Sequence, residues 1–152
     1  EVMAGAELLE KDFGVSADIW SVTSFTELKR EGEDVARWNM LNPEEKPKVP
    51  YVTACLSSRG EGPVIASTDY MKLYADQIRP FISGKYQVLG TDGFGRSDFR
   101  RTLRHHFEVD RHFVTVAALK ALAEENKLPS IKAADAIKKY GIDPLKADPA
   151  RA

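Results

Sequence analysis

Apolar residues in the opening segment recur at helical spacing, with Val2, Ala6, Leu9 and Phe13 on one face and Gly14 placed to close the helix. Ala17 to Thr23 is β-branched and aromatic, with Ile19, Trp20 and Val22 as its apolar members, and predicts a buried strand. Thr26 to Leu41 has helical composition, broken by Gly32 and stopped by Pro43. Asn42 to Pro50 reads as a proline-rich surface loop, and Tyr51 to Leu56 fits either a helix or a strand. Val64 to Ala66 predicts a second strand. Ser67, Thr68 and Asp69 then offer capping oxygens for a helix with Tyr70, Leu73, Tyr74, Gln77 and Ile78 on one face, ended by Pro80.

Tyr86 to Leu89 predicts a third strand, which runs into the turn Gly90-Thr91-Asp92-Gly93-Phe94-Gly95. Ser97 or Asp98 caps the next predicted helix, through Phe107. Asp110 opens another, striped with Val114, Ala117, Ala118, Ala121 and Leu122, and Ile131 to Tyr140 forms the last before Gly141. Strands separated by long helical connections imply parallel neighbours joined by right-handed crossovers, hence an α/β fold. Three strands make a thin sheet for so many helices, and a further strand upstream of Glu1 would complete it.

Composition narrows the function classes. The chain has 152 residues and a net charge of -1, which lacks the clustered basic excess of a nucleic-acid binder. Its one cysteine, Cys55, cannot form an internal disulfide, so a reducing compartment is the natural reading. No run reaches the ~18 apolar residues of a membrane-spanning helix, and no signal-peptide pattern opens the chain. Helical periodicity beginning at once at Glu1 reads as the interior of a longer polypeptide, while the polar tail to Ala152 reads as a natural terminus.

The turn of Gly90, Thr91, Asp92, Gly93, Phe94, Gly95, Arg96, Ser97 and Asp98 is the most distinctive local feature. A strand-to-helix loop presents free N–H groups, and Arg96 adds charge, so an anion could sit there. The glycine spacing matches neither a dinucleotide fingerprint nor a phosphate loop. The structural alternative is a tight turn in which glycines permit positive φ and Phe94 plugs the core. His105 and His106 point about 100° apart on a helix and His112 lies beyond a break, which does not suit a metal. Cys55 has no nearby base and reads as a small apolar residue. Asp69, Asp92 and Asp98 follow strand ends, where α/β proteins bind ligands, but Asp69 and Asp98 also suit helix caps. Arg100, Arg101 and Arg104 form a basic helix face.

Several stretches together carry a resemblance: Ile19 to Leu28, Arg37 to Leu41, Ala66 to Leu73, Val88 to Asp98 and His106 to Asp110. In this order they resemble the C-terminal region of the homodimeric bacterial pyruvate dehydrogenase component, and the Phe94-Gly95-x-Ser97 core is similar to a transketolase turn. The resemblance covers the whole chain. It implies a three-layer α/β/α transketolase C-terminal domain with a mixed, mostly parallel sheet, forming a single domain over residues 1–152 of a longer, multidomain enzyme. It implies a full protein that decarboxylates pyruvate with thiamine diphosphate and magnesium and passes the two-carbon unit to a lipoyl group. The implied partners are the upstream thiamine-binding domains, a second subunit and the lipoyl acetyltransferase core, in a bacterial cytoplasm, with neither nucleic acid nor membrane. The family's Gly-Asp-Gly with a downstream Asn is not reproduced by Thr91-Asp92-Gly93 and Asn126, so no catalytic, cofactor-binding or metal residue is carried over. A domain without cofactor, base or acceptor site has no chemistry of its own. The alternatives are a regulatory anion- or metabolite-binding module using Gly90 to Asp98, and a brace for the dimer.

Overall fold

The computed structural model describes residues 1–151. Seven helices and two strands follow in the order α1 (Val2–Phe13), α2 (Phe25–Leu41), α3 (Tyr51–Leu56), β1 (Val64–Ser67), α4 (Lys72–Asp76), β2 (Tyr86–Leu89), α5 (Arg100–His106), α6 (Arg111–Glu124) and α7 (Ile131–Lys139), with a 3₁₀ turn at Arg79–Phe81. β1 and β2 run parallel, pairing Val64 with Tyr86 through to Ser67 with Leu89. Helices around a small parallel sheet place the chain in the α/β class.

α6 is the centre of one core. The Asp110 side chain accepts from the N–H groups of His112 and Phe113 and starts it, as the sequence predicts. Val114, Thr115, Ala117, Ala118, Leu119 and Ala121 are buried, because α6 packs on α1, α7 and the sheet at once. Small residues permit that crowding: a Cβ on Gly5 of α1 would lie 2.9 Å from the Val114 side chain. α1 ends at Gly14 with φ 68°, which frees Val15 N–H to reach the Leu9 carbonyl. Tyr140 beyond α7 donates to Asp12 at 2.9 Å and ties the far helix back to α1. A second core gathers Val52, Ile78 and Tyr86 with Phe25, Leu28 and Phe81 from α2 to β2.

The structure corrects several sequence-based expectations. Ala17 to Thr23 is not a strand: it is irregular and exposed throughout, with Trp20 48% exposed. Its composition favours extended backbone, but a strand exists only where a neighbour completes the ladder, and the described sheet consists of β1 and β2. Tyr51–Leu56 resolves as a helix; Glu31 of α2 accepts from Tyr51 N–H at 2.9 Å, a cap supplied from outside. Gly32 does not interrupt α2, and Phe81 occupies the space a Cβ there would need.

The predicted helix after β1 shrinks to Lys72–Asp76. Tyr70, Leu73 and Tyr74 are exposed, while Ala75 and Ile78 face the core. Neither Ser67 nor Asp69 caps it; Thr68 Oγ1 accepts only from Tyr70 N–H. Likewise α5 starts at Arg100 without a side-chain cap, since the Asp98 carboxylate turns to the N–H of Phe99 at 2.6 Å. Phe94 does not plug this domain's core. It is 83% exposed.

Candidate functional site

The two strands end side by side, so the loops that leave Ser67 and Leu89 share the carboxyl edge of the sheet, where open α/β sheets place ligands. Hydrogen bonds sew these loops together. Thr68 N–H donates to the Leu89 carbonyl at 3.0 Å and Thr91 N–H to the Tyr70 carbonyl at 2.9 Å. The Thr91 hydroxyl donates to the Asp69 carbonyl at 2.8 Å. Asp92 accepts from Lys72 N–H at 2.9 Å, and so starts α4 from 20 residues away. Gly90 makes the approach possible: a Cβ there would stand 2.8 Å from both Lys72 N and the Tyr70 carbonyl oxygen.

Gly93 alone among the three turn glycines has the predicted positive φ, at 111°, and the Pro149 carbonyl of the tail lies where its Cβ would go. Gly95 has no such neighbour and no left-handed backbone. Arg96, Ser97 and Asp98 then join Thr102, Leu103 and His106 around a shallow cavity of about 450 Å³. His106 Nε2 is buried without a hydrogen-bond partner among the described residues. Burial first, then the Arg96 and Lys146 charges, push its imidazolium below the ordinary histidine range.

The remaining candidates lie apart. His105 Nδ1 meets Asp110 Oδ2 at 2.9 Å, and the His112 ring stacks on Tyr140 at 4.7 Å. Cys55 is a half-buried free thiol. Among the described residues no three His, Cys, Asp or Glu side chains gather to hold a metal ion. Of the basic face, Arg100 and Arg101 are exposed, whereas Arg104 reaches Glu1 at 3.2 Å and Asp69 at 3.8 Å.

Two clusters are missing from the sequence-based reading. Glu1 accepts from both the backbone N–H and the guanidinium of Arg111, 110 positions away, and the Arg111 hydrogen bond holds its carboxyl at about 2. A cavity of about 540 Å³ beside β2 collects Lys72, Arg79, Lys85 and Lys120 with Asp76 and Glu124. Hydrogen bonds from Lys85 and then Lys120 hold Glu124 at about 2. No spacing signal announces either cluster, because each draws on segments far apart in the chain.

Chemically, the turn's carboxylates are occupied in structural work. Asp92 serves a helix start and Asp98 serves its neighbour's N–H. The geometry is that of a braced joint between sheet and helix.

Comparison with known proteins agrees with this architecture. Residues 1–110 match the model of the transketolase-like TK C-terminal domain. The chain is 59% identical over 149 residues to the pyruvate dehydrogenase E1 component of Cupriavidus necator, covering 98% of this chain and 16% of that protein. It is 60% identical over 150 residues to that of Pseudomonas aeruginosa, covering 98% of this chain and 17% of the relative. Against Escherichia coli K12 the identity is 54% over 149 residues, with 97% and 16% covered. The chain thus spans about one sixth of these curated relatives. With a matching model over most of its length and an α/β body around parallel strands, the chain belongs to the transketolase-like C-terminal domain family.

Proposed function

We propose that this chain is the non-catalytic C-terminal domain, spanning residues 1–152, of a pyruvate dehydrogenase E1 polypeptide, and that it braces the enzyme. The observation that carries the reading is 59% identity across 98% of the chain to a protein of that name. The full polypeptide would decarboxylate pyruvate with thiamine diphosphate and magnesium held by upstream domains, and pass the two-carbon unit to a lipoyl group of an acetyltransferase core. It would work as a homodimer in a bacterial cytoplasm; no described helix is long and apolar enough to cross a membrane. The residues of this chain do not fit a magnesium–diphosphate grip: Asp92 is committed to Lys72 N–H, and Asn126 lies past the end of α6. No step of the chemistry is assigned to them. A strand upstream of Glu1 would add a further member to the two-stranded sheet of β1 and β2.

The test is carbon dioxide release from pyruvate with thiamine diphosphate and magnesium. The full polypeptide should be active, this chain alone inactive, and Arg96→Ala in the full polypeptide nearly as active as the unaltered enzyme. Release by this chain alone, or lost turnover in a folded, dimeric Arg96→Ala enzyme, would overturn the reading. The cavity of Arg96, Ser97 and His106 favours a second reading, a regulatory anion site around the Gly90 to Asp98 turn. Stabilisation of the protein by phosphate or nucleotides, lost in Arg96→Ala, would support it.

A further inference from the structure

The carboxyl edge of the sheet carries more exposed apolar surface than a free domain needs. Phe94 and Phe99 are 83% and 85% exposed, and Tyr70, Met71, Leu73 and Tyr74 are exposed beside the same turn. Isolated exposed hydrophobics are ordinary on any protein, but a contiguous apolar patch marks a contact surface. Hydrogen bonds already described hold the Tyr70 to Tyr74 segment against the loop that leads to Phe94. Thr91 N–H is joined to the Tyr70 carbonyl, Gly90 lies against Tyr70 and Lys72, and the Tyr70 and Tyr74 rings are 5.6 Å apart. The support is also rigid. Asp92 is bonded to Lys72 N–H, and Gly93 sits against the Pro149 carbonyl. Phe94 therefore projects from a fixed base. Arg96, Asp98, Arg100 and Arg101 follow Phe94 in the chain and are exposed, so the segment carries both aromatic and charged groups, as surfaces where proteins meet do.

We infer that the surface of Tyr70, Met71, Leu73 and Tyr74 with the adjoining Phe94 loop is the seat of the preceding region of the same kind of polypeptide. The inference rests on reading this chain as the end of a longer E1 protein and adds the surface through which it docks. The length of the relatives selects that occupant. The chain matches the C-terminal part of these relatives and only 16–17% of their length, so in them most of the polypeptide lies before the matched part. Covalent tethering holds that region at an effective concentration of order mM, well above that of a free partner.

The experiment places photoreactive p-benzoylphenylalanine at Phe94 in the full-length polypeptide, alone and mixed with a lipoyl acetyltransferase, and maps the cross-linked peptides by mass spectrometry. Leu145, 90% exposed and outside this surface, is the control position. The expected product joins position 94 to a peptide of the preceding region, in yield well above the control. Cross-links to a second copy of this domain or to the acetyltransferase, or a yield no higher than at Leu145, would overturn the inference. If the Phe94 variant does not fold, the same probe at Tyr74 decides the matter with the same outcomes. Pyruvate decarboxylation is measured on the unaltered polypeptide in parallel. An inactive polypeptide that still cross-links to its preceding region defeats the assigned activity and leaves the docking surface standing.

Discussion

Gly90→Ala is the sharpest perturbation of the joint between the two loops. Gly90 lies outside the left-handed region, so alanine meets no dihedral strain and, by stiffening the unfolded chain, could gain about 0.4–1 kcal/mol. The obstacle is space. The new methyl would stand 2.8 Å from Lys72 N and from the Tyr70 oxygen, and both are backbone atoms that no rotamer change can move. Relief requires the Tyr70–Lys72 strap to withdraw, at about 1–3 kcal/mol for overpacking. Withdrawal stretches the Thr91 to Tyr70 hydrogen bond and the Asp92 cap on Lys72, each worth about 1 kcal/mol. The net expectation is destabilisation by about 2–3 kcal/mol. At about 2.1 cal/mol/K per residue of unfolding entropy, a chain of this length should lose roughly 6–9 °C in Tm. Gly95→Ala is the internal control: nothing lies within 4 Å of its Cβ position, and the change should be neutral or slightly stabilising. Thermal and urea unfolding followed by circular dichroism would read both variants. A Gly90→Ala protein as stable as the original, or a Gly95→Ala protein that loses more than Gly90→Ala, would refute the close-approach argument.

Two further outcomes are expected. Leu119→Ala should cost about 2.7–5.0 kcal/mol in urea denaturation, because Leu119 is fully buried between α6 and its neighbours and its loss leaves a cavity; a cost near zero would place the core elsewhere. Glu1 and Glu124 titrate near about 2 in the folded chain against an ordinary 4.5, so the ionised forms favour folding and their contribution is complete above pH 4.5. That contribution should disappear as pH falls from 4.5 toward 2, and Glu124→Gln should flatten the fall in urea midpoints over that window.

The helices with their own start and stop signals were legible in the sequence. α1 with Gly14, α6 with Asp110 and α7 with Gly141 obey local rules, since a cap or a left-handed glycine acts within a few residues of itself. The strands beginning at Val64 and Tyr86 were legible for the same reason, as short apolar runs between turn residues. Features that depend on a distant partner were not. Ala17 to Thr23 has strand composition but no described strand beside it, and the caps of α3 and α4 come from Glu31 and Asp92, each 20 residues away from the helix it starts. The glycine turn shows the division within one motif. Its sequence announced tight backbone, and Gly93 has it; only the tertiary structure decided that Gly90 serves a backbone crossing and that Phe94 points outward. Local signals are governed by covalent geometry, whereas burial and pairing are settled by which segments the fold brings together, and no local pattern carries that information.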